Sequence, residues 1–304
     1  MIDILLATYN GEKYLEPQIY SIIYQTYKDW TLYIHDDGSS DNTINIIRRF
    51  SERYSNIVYV EDDKKHLGPG ANFMHLLNSS KAELVCFCDQ DDLWLENKLE
   101  VMAKCFESVD SESPMVVYSQ ARDYFSNNHN YIGRYSYSCK HFTIRDSLFK
   151  NGGIQGCAAM FNAAMRDFIN IEHTFVAMHD QILMLAGIVT GGIRYIDDVL
   201  FLYRQHNSNT TTHQPQSALE SLGLIKNFNI PVIEKPYYEG LLSFYNAYKC
   251  QISERDKKLF ELYFGMPKRD RFSRIFIILI YRFPFSGSVI KLVLKNILRK
   301  YYIK

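Results

Sequence analysis

Glu83-Leu-Val-Cys-Phe-Cys-Asp-Gln-Asp-Asp92 is an apolar run that ends in three carboxylates within four positions. The apolar part has the length and composition of a buried strand. Three neighbouring acids repel one another unless a cation compensates. A hard divalent ion such as Mg²⁺ or Mn²⁺ takes oxygen ligands and bridges carboxylate to phosphate. The stretch therefore reads as a metal–diphosphate site or as a solvated acidic loop. Its place after a strand, beside two further polar strand ends, favours the metal site.

Those two ends lie upstream. Ile2 to Ala7 reads as a short buried strand broken by Thr8-Tyr-Asn-Gly-Glu12, and Leu15, Ile19, Ile22 and Ile23 follow at helical spacing. Trp30 to Ile34 is a second strand ending at His35-Asp-Asp-Gly-Ser-Ser-Asp-Asn42, where Asp41 or Ser40 can cap a helix over Thr43–Tyr54. Ile57 to Val60 is a third strand, and Asn72 to Leu77 sits in a helix. Alternating strands and helices predict an α/β fold with a parallel sheet covered on both faces. In such sheets ligands bind beyond the carboxyl ends of the strands, so the three polar clusters are expected to converge on one crevice.

Downstream, Met115–Ala121, Gly152–Phe161 and Asp198–Tyr203 read as strands and 180–190 as a helix. Residues 207–216 are polar and loop-like, and helical stretches follow at 217–227 and 237–263. His179-Asp180 precedes the apolar helix: Asp180 reads as an N-cap or as a general base for an acceptor hydroxyl. Asp37 suits a turn, or a hydrogen bond to a pyrimidine imide. Arg204 and His206, in Tyr203-Arg-Gln-His206, have the donors for a diphosphate, or a structural role.

Formal net charge is zero, but residues 268–304 carry +9 and the preceding 267 carry −9. In that tail Arg271–Arg282 has an apolar centre between cations, and Lys291, Lys295 and Arg299 recur every four residues among large aliphatics. This predicts a basic amphipathic helix for an anionic membrane surface, or else a helix packed on the body. Basic residues alternating with aliphatics argue against nucleic acid. The six cysteines are scattered, which suits free thiols in a reducing compartment. No leader pattern opens the sequence, and no run reaches the length needed to span a bilayer. The expected location is cytoplasmic, peripheral on the cytoplasmic face of the membrane.

Together these residues resemble the family 2 glycosyltransferases. Leu6-Ala-Thr-Tyr-Asn-Gly-Glu-Lys-Tyr-Leu15, Ile34-His-Asp-Asp-Gly-Ser-Ser-Asp41 and Phe87-Cys-Asp-Gln-Asp-Asp-Leu-Trp-Leu95 carry the likeness. With Gly153-Ile-Gln-Gly-Cys157, His179-Asp180 and Tyr203-Arg-Gln-His206, the set is most similar to the bacterial rhamnosyltransferase-like branch. The resemblance implies a GT-A fold: a Rossmann-like central mixed sheet flanked by helices, with a helical C-terminal extension. The resemblance covers 1–207, the transferase domain; the residue pattern adds a helical extension over 208–267 and a basic amphipathic membrane-associating tail over 268–304. Thr8, Tyr9, Glu12, Asp37, Asp89 and Arg204 would bind the donor nucleotide. Asp91 and His206 would hold the metal, Asp92 would support the loop and Asp180 would be the base. His66 stands where the family commonly has Asn.

The implied reaction is inverting transfer from a dTDP- or UDP-sugar, rhamnose first, to a lipid-linked oligosaccharide of a surface polysaccharide. Two other readings compete: a sugar-1-phosphate nucleotidyltransferase, and a silent membrane-bound protein that binds sugar nucleotides. The first would want a basic glycine-rich loop, whereas residues 7–15 hold one Gly and one Lys.

Overall fold

The structure is a computed structural model that describes residues 1–126, 131–135, 142–150, 153–170, 175–206 and 228–304. The polar stretch 207–216, the helical stretch 217–227 and Cys139 lie outside the described residues.

Three β–α units open the chain: β1 (Ile2–Thr8), α1 (Leu15–Ile23), β2 (Trp30–Asp36), α2 (Thr43–Arg53), β3 (Ile57–Tyr59) and α3 (Pro69–Leu77). β4 (Leu84–Asp89), β5 (Leu93–Trp94) and α4 (Lys98–Lys104) follow. The middle holds β6 (Val116–Phe125), β7 (Tyr131–Tyr135), α5 (Ile144–Ser147), β8 (Ala159–Asn162), α6 (Ala163–Ile169), α7 (His179–Thr190) and β9 (Ile193–Gln205). Four helices close it: α8 (Lys235–Tyr248), α9 (Glu254–Gly265), α10 (Arg271–Tyr281) and α11 (Val289–Leu298).

One mixed sheet runs β3-β2-β1-β4-β8-β6-β9-β5, with β7 paired to β6. β3, β2, β1 and β4 are parallel, as the alternation predicts. β8 runs antiparallel to both β4 and β6, while β9 is parallel to β6. Register fixes the site: Thr8 lies opposite Asp36, and Ala7 opposite Asp89. The three polar ends thus stand side by side at one edge.

The sheet must also curl. β5 begins four residues after β4 yet pairs at the far edge with β9. Four residues reach at most ~14 Å, whereas four strand spacings in a flat sheet measure ~19 Å. Only a curved sheet joins these positions, and the curve brings the end of β9 over the loop that follows β4.

Three elements depart from the sequence reading. Gly152–Phe161 was expected to be a strand; the chain instead makes a 3-10 turn at Gly156–Ala158 before β8. A Cβ at Gly153 would overlap the Asp180 backbone, and one at Gly156 the His179 ring. Close approach to α7, rather than strand pairing, shapes this segment. The expected helix 237–263 divides in two, and Ser253 caps the second through the Asp256 N–H. Asn42, not Ser40 or Asp41, precedes α2, although Asp41 Oδ1 still accepts from the Thr43 N–H.

The C-terminal helices share the core of the sheet. Leu241, Phe244, Phe260, Ile278, Phe283 and Leu292 belong to the same buried cluster as β1 and β4. The Tyr248 hydroxyl donates to the Phe168 carbonyl, and Ile233 pairs with Ile303. Of the tail's basic stripe Lys291 is exposed, but Lys295 and Arg299 turn toward the body. Lys295 is buried with Nζ 3.4 Å from the Phe285 ring centroid, and Arg299 donates to the Pro231 carbonyl. Burial, helped by Arg299, brings the Lys295 ammonium down to about 7. The lysine stem packs as apolar surface and the head finds an aromatic face. The outward surface is instead apolar: Phe272, Phe276, Leu279 and Ile280 on α10, with Ile290 and Ile297 on α11.

Because Ile278 and Leu292 are fully buried against the body, truncating either should leave a cavity. Ile278→Ala and Leu292→Ala are each expected to cost about 2–5 kcal/mol in urea unfolding. A loss under about 0.5 kcal/mol, typical of surface changes, would mean that the tail is detached.

Candidate active site

Gln90 joins the first two arms of the site. Its Oε1 accepts from Thr8 Oγ1 at 2.6 Å and from the Tyr9 N–H at 3.0 Å, and its Nε2 donates to the Tyr9 carbonyl. The Tyr9 ring is left half exposed. A second joint ties the loop after β1 to the loop after β2. Asn10 Oδ1 accepts from the Ser40 N–H, the Glu12 carboxylate accepts from the Asn42 N–H, and the Glu12 N–H donates to Asp41. Glu12 thus stands in this joint, apart from the other acids.

Asp37 is buried, and both its oxygens are engaged: Oδ1 by the Leu67 N–H at 2.7 Å and Oδ2 by the Gly68 N–H at 2.9 Å. Gly68 has φ +78, which glycine adopts without strain. The carboxylate therefore folds the 61–68 loop over the end of β2.

The β4 end is held from β9. Arg204 donates from Nε to the Asp91 carbonyl at 2.7 Å and from its backbone N–H to Asp92 Oδ1 at 3.2 Å. Its guanidinium lies 5.1 Å from the centroids of Tyr14 and Tyr124. His206 stacks on Tyr14 and meets Asp91 Oδ2 at 2.8 Å through Nε2. The structure thus brings Asp91 and His206 together, 115 residues apart in sequence.

Asp92 is fully buried, and its Oδ2 has no hydrogen-bond partner among the described residues. Burial, then Asp91 and Asp89, hold its carboxyl well above the usual range. Burial, then Asp91 and Asp180, push Asp89 up to about 7. Beneath them Lys98 is buried, with Nζ on the Cys157 carbonyl at 2.7 Å and over the Trp94 and Phe201 rings. Ligand atoms of Asp89, Asp92 and Cys157 lie within 4.8 Å of one another. Crowded buried carboxyls held above their usual range, with the Cys157 thiol beside them, are an arrangement that a divalent cation would relieve.

Asp180 approaches from α7. It is the second residue of that helix; Met178 takes the cap position and has no side-chain cap bond, so Asp180 is not the N-cap. Burial pushes its carboxyl up to about 6, against the Gly153 backbone N–H and Lys150. Its Oδ1 is buried without a hydrogen-bond partner among the described residues. Beside it His179 is packed 3.7 Å from the Phe73 ring centroid and 5.0 Å from that of Phe87, and burial drives it down to about 3. That histidine is neutral and cannot ion-pair with Asp180. Tyr237 of α8 also borders the base: burial and then Asp180 raise its phenol. The sequence reading missed Gln90, Tyr14, Lys98 and Tyr237. Gln90 alone had a signal, as the uncharged member of the acidic run.

The model of glycosyl transferase family 2 matches residues 3–170, more than half of the chain. The chain belongs to glycosyl transferase family 2. Its sequence is 30% identical over 243 residues to the dTDP-rhamnosyl transferase RfbG of Shigella flexneri, covering 73% of this chain and 79% of that protein. It is 25% identical over 241 residues to the UDP-Glc:alpha-D-GlcNAc-diphosphoundecaprenol beta-1,3-glucosyltransferase WfgD of Escherichia coli, covering 78% of this chain and 90% of that one. The fold is similar to residues 1–349 of S. aureus TarS in complex with UDP-GlcNAc, with TM-score 0.55 and 15% identity over 97% of this chain and 88% of that chain. The family 2 core is thus a GT-A type mixed sheet flanked by helices, followed here by C-terminal helices.

A carboxyl whose pKa rises on folding binds more protons folded than unfolded, so its contribution to stability falls as pH climbs through the folded value. Removing that burden should help most at high pH. Relative to wild type, metal-free Asp89→Asn is expected to gain stability as pH rises from about 4 to about 7, read as the difference in thermal midpoints. Mg²⁺ or Mn²⁺ should raise the wild-type midpoint at pH 7 and barely move that of Asp91→Asn, which lacks the expected metal ligand. Parallel pH profiles for wild type and Asp89→Asn would refute the crowded-carboxylate account.

Proposed function

We propose that this family 2 glycosyltransferase moves a sugar, rhamnose first, with inversion, from a dTDP- or UDP-linked donor to a lipid-linked oligosaccharide of a surface polysaccharide. The observation that carries it is the approach of Asp180 on α7 to the carboxyls at the end of β4, with Asp89 raised by both Asp91 and Asp180. The dTDP-rhamnose preference is supported by the name of the Shigella relative, and the lipid-linked acceptor by that of the E. coli relative.

In this reading Tyr9, Thr8 and the Asp37 loop receive the base, and Asp89 faces the ribose. A divalent cation held by Asp91, with His206 beside it, would neutralise charge on the departing diphosphate. Arg204 fixes Asp91 and Asp92 and adds positive charge near the phosphates. Asp180 takes the proton of the acceptor hydroxyl as that oxygen bonds to the anomeric carbon and the diphosphate departs from the opposite face. Neutral His179 leaves Asp180 without an ion-pair partner on that side, which keeps it basic enough to act. Glu12 serves the donor indirectly, through the joint between loops.

The acceptor side opens toward the C-terminal region, where Tyr237 borders Asp180. We divide the chain by role into a transferase part at 1–207, an extension at 208–267 and a tail at 268–304. No helix among the described residues is long and apolar enough to cross a membrane. Phe272, Phe276, Leu279 and Ile280 share one exposed face of α10, and Arg271, Arg282, Lys291 and Lys300 of the same tail are exposed too. That surface suits peripheral docking on an anionic leaflet at the cytoplasmic face.

A screen of nucleotide sugars with Mg²⁺ or Mn²⁺, read by mass spectrometry of a lipid-linked acceptor, tests the reaction. Asp180→Asn is expected to lower turnover by about 10²–10⁴-fold while nucleotide binding persists. The wild-type rate should fall away below about pH 6, where Asp180 becomes protonated. Near-normal transfer by Asp180→Asn would remove it as the base. Transfer of a nucleotidyl group to a sugar phosphate would establish the competing chemistry. Phe272→Ser with Phe276→Ser should reduce co-sedimentation with anionic vesicles, and unchanged sedimentation would remove the docking face.

A further inference from the structure

A second cluster of ligating side chains lies outside the carboxylate loop. His35 of β2, Asp62 of the loop after β3 and His75 of α3 bring one ligand atom each within 4.8 Å of the others. His35 Nε2 stands 3.3 Å from Asp62 Oδ1, and His75 Nε2 stands 2.7 Å from Asp62 Oδ2. The two imidazoles meet edge to face with centroids 4.8 Å apart.

The hydrogen bonds show what is missing. His35 Nδ1 meets Asn72 Oδ1 at 2.7 Å in the interior. An amide oxygen only accepts, so Nδ1 carries the hydrogen and the neutral ring presents its Nε2 lone pair to Asp62. A lone pair facing a carboxylate oxygen needs a cation between them, either a proton or a metal ion. A metal-bound histidine ordinarily has its other nitrogen oriented in this way by an acceptor. Two imidazole nitrogens and one carboxylate suit Zn²⁺ and poorly suit Mg²⁺. Zinc ligands at ~2.0–2.2 Å stand ~3.3 Å apart in a tetrahedron. His35 already has that spacing from Asp62, and His75 needs a small outward shift. Its side chain is 16% exposed and that of Asp62 29%, so the cluster borders solvent.

We propose that His35, Asp62 and His75 form a zinc site distinct from the carboxylate loop, closed in its absence by Lys64. Lys64 Nζ lies 3.2 Å from His75 Nδ1, which leaves the His75 Nε2 hydrogen to satisfy Asp62. Zinc must displace that hydrogen and drive the lysine away. Once bound, the ion clips β2, the 61–68 loop and α3 together. The same loop supplies the Leu67 and Gly68 amides to Asp37, so occupancy should stiffen the proposed base subsite. That consequence rests on the donor reading; zinc binding itself does not.

The test is calorimetric titration of the full chain carrying His206→Ala with Zn²⁺ in excess Mg²⁺ and without nucleotide, so that the carboxylate loop has lost its imidazole and Mg²⁺ competes for the remaining carboxylates. One saturable equivalent is expected. His75→Ala and Asp62→Asn, both at partly exposed positions, should each weaken it by about tenfold or more. Lys64→Met, which removes the competing charge, should tighten it. With Co²⁺ in place of Zn²⁺, the visible spectrum of a four-coordinate site should appear in that protein and vanish when His75→Ala is added. No saturable zinc binding would overturn the proposal. So would binding that survives both ligand substitutions, or weaker binding by Lys64→Met. A zinc site found in a protein that transfers no sugar would leave this inference standing and remove the donor reading.

Discussion

Asp89, Asp91 and Asp92 crowd together at the end of β4, where burial and the neighbouring acids raise the carboxyls of Asp89 and Asp92, and the surrounding structure holds them there. Arg204 pins the Asp91 and Asp92 backbone and side chain from β9, His206 meets the Asp91 carboxylate, and Lys98 lies buried below. The Arg204 and His206 contacts are impossible in a flat sheet, because β9 would lie several strands away. Curling the sheet and crowding the acids are therefore one constraint. The repulsion is tolerable because protons carry part of it in the empty protein, as the raised carboxyls show. A cation that replaces those protons gains the interactions they made.

The two sides of the site are built differently. On the donor side, side chains hold loops: Asp37 takes two backbone amides, Gln90 spans Thr8 and Tyr9, and Glu12 and Asn10 lock the loops after β1 and β2. Such a surface is preorganised, which suits a ligand with fixed hydrogen-bonding edges. On the proposed acceptor side, Asp180 Oδ1 has no hydrogen-bond partner among the described residues and the carboxyl borders an aromatic helix. A buried carboxylate oxygen left without a hydrogen bond costs stability but keeps its lone pair available. Sequence changes in α8 would alter the surroundings of Asp180 without touching the donor loops.

The β–α alternation and the polar strand ends were legible because both are local signals. Period and composition mark β1, β2 and β4, and an apolar strand followed by acids announces a crevice whatever packs around it. The pairing of Asp91 with His206 also followed, through the family's motifs rather than from spacing. Other features depended on what lies opposite. The glycines at 153 and 156 read as a strand approach, but their absent Cβ atoms serve α7. Lys295 reads as part of a solvated stripe, yet Phe285 and the body receive it. Periodicity states which residues share a helix face, not which face the protein covers.

His35 shows the same limit from another direction. In the sequence it is one histidine before a pair of aspartates, with Asp62 in a polar loop and His75 on a helix that also packs a core. Their meeting depends on the path of the 61–68 loop, and Asp37 sets that path by taking the Leu67 and Gly68 amides. The loop that covers the expected base subsite is therefore fixed at two points, by Asp37 on the inner side and by the His35–Asp62–His75 cluster on the outer side. A change at either point must be felt at the other, because only a few residues separate them and two of their hydrogen bonds close the turn.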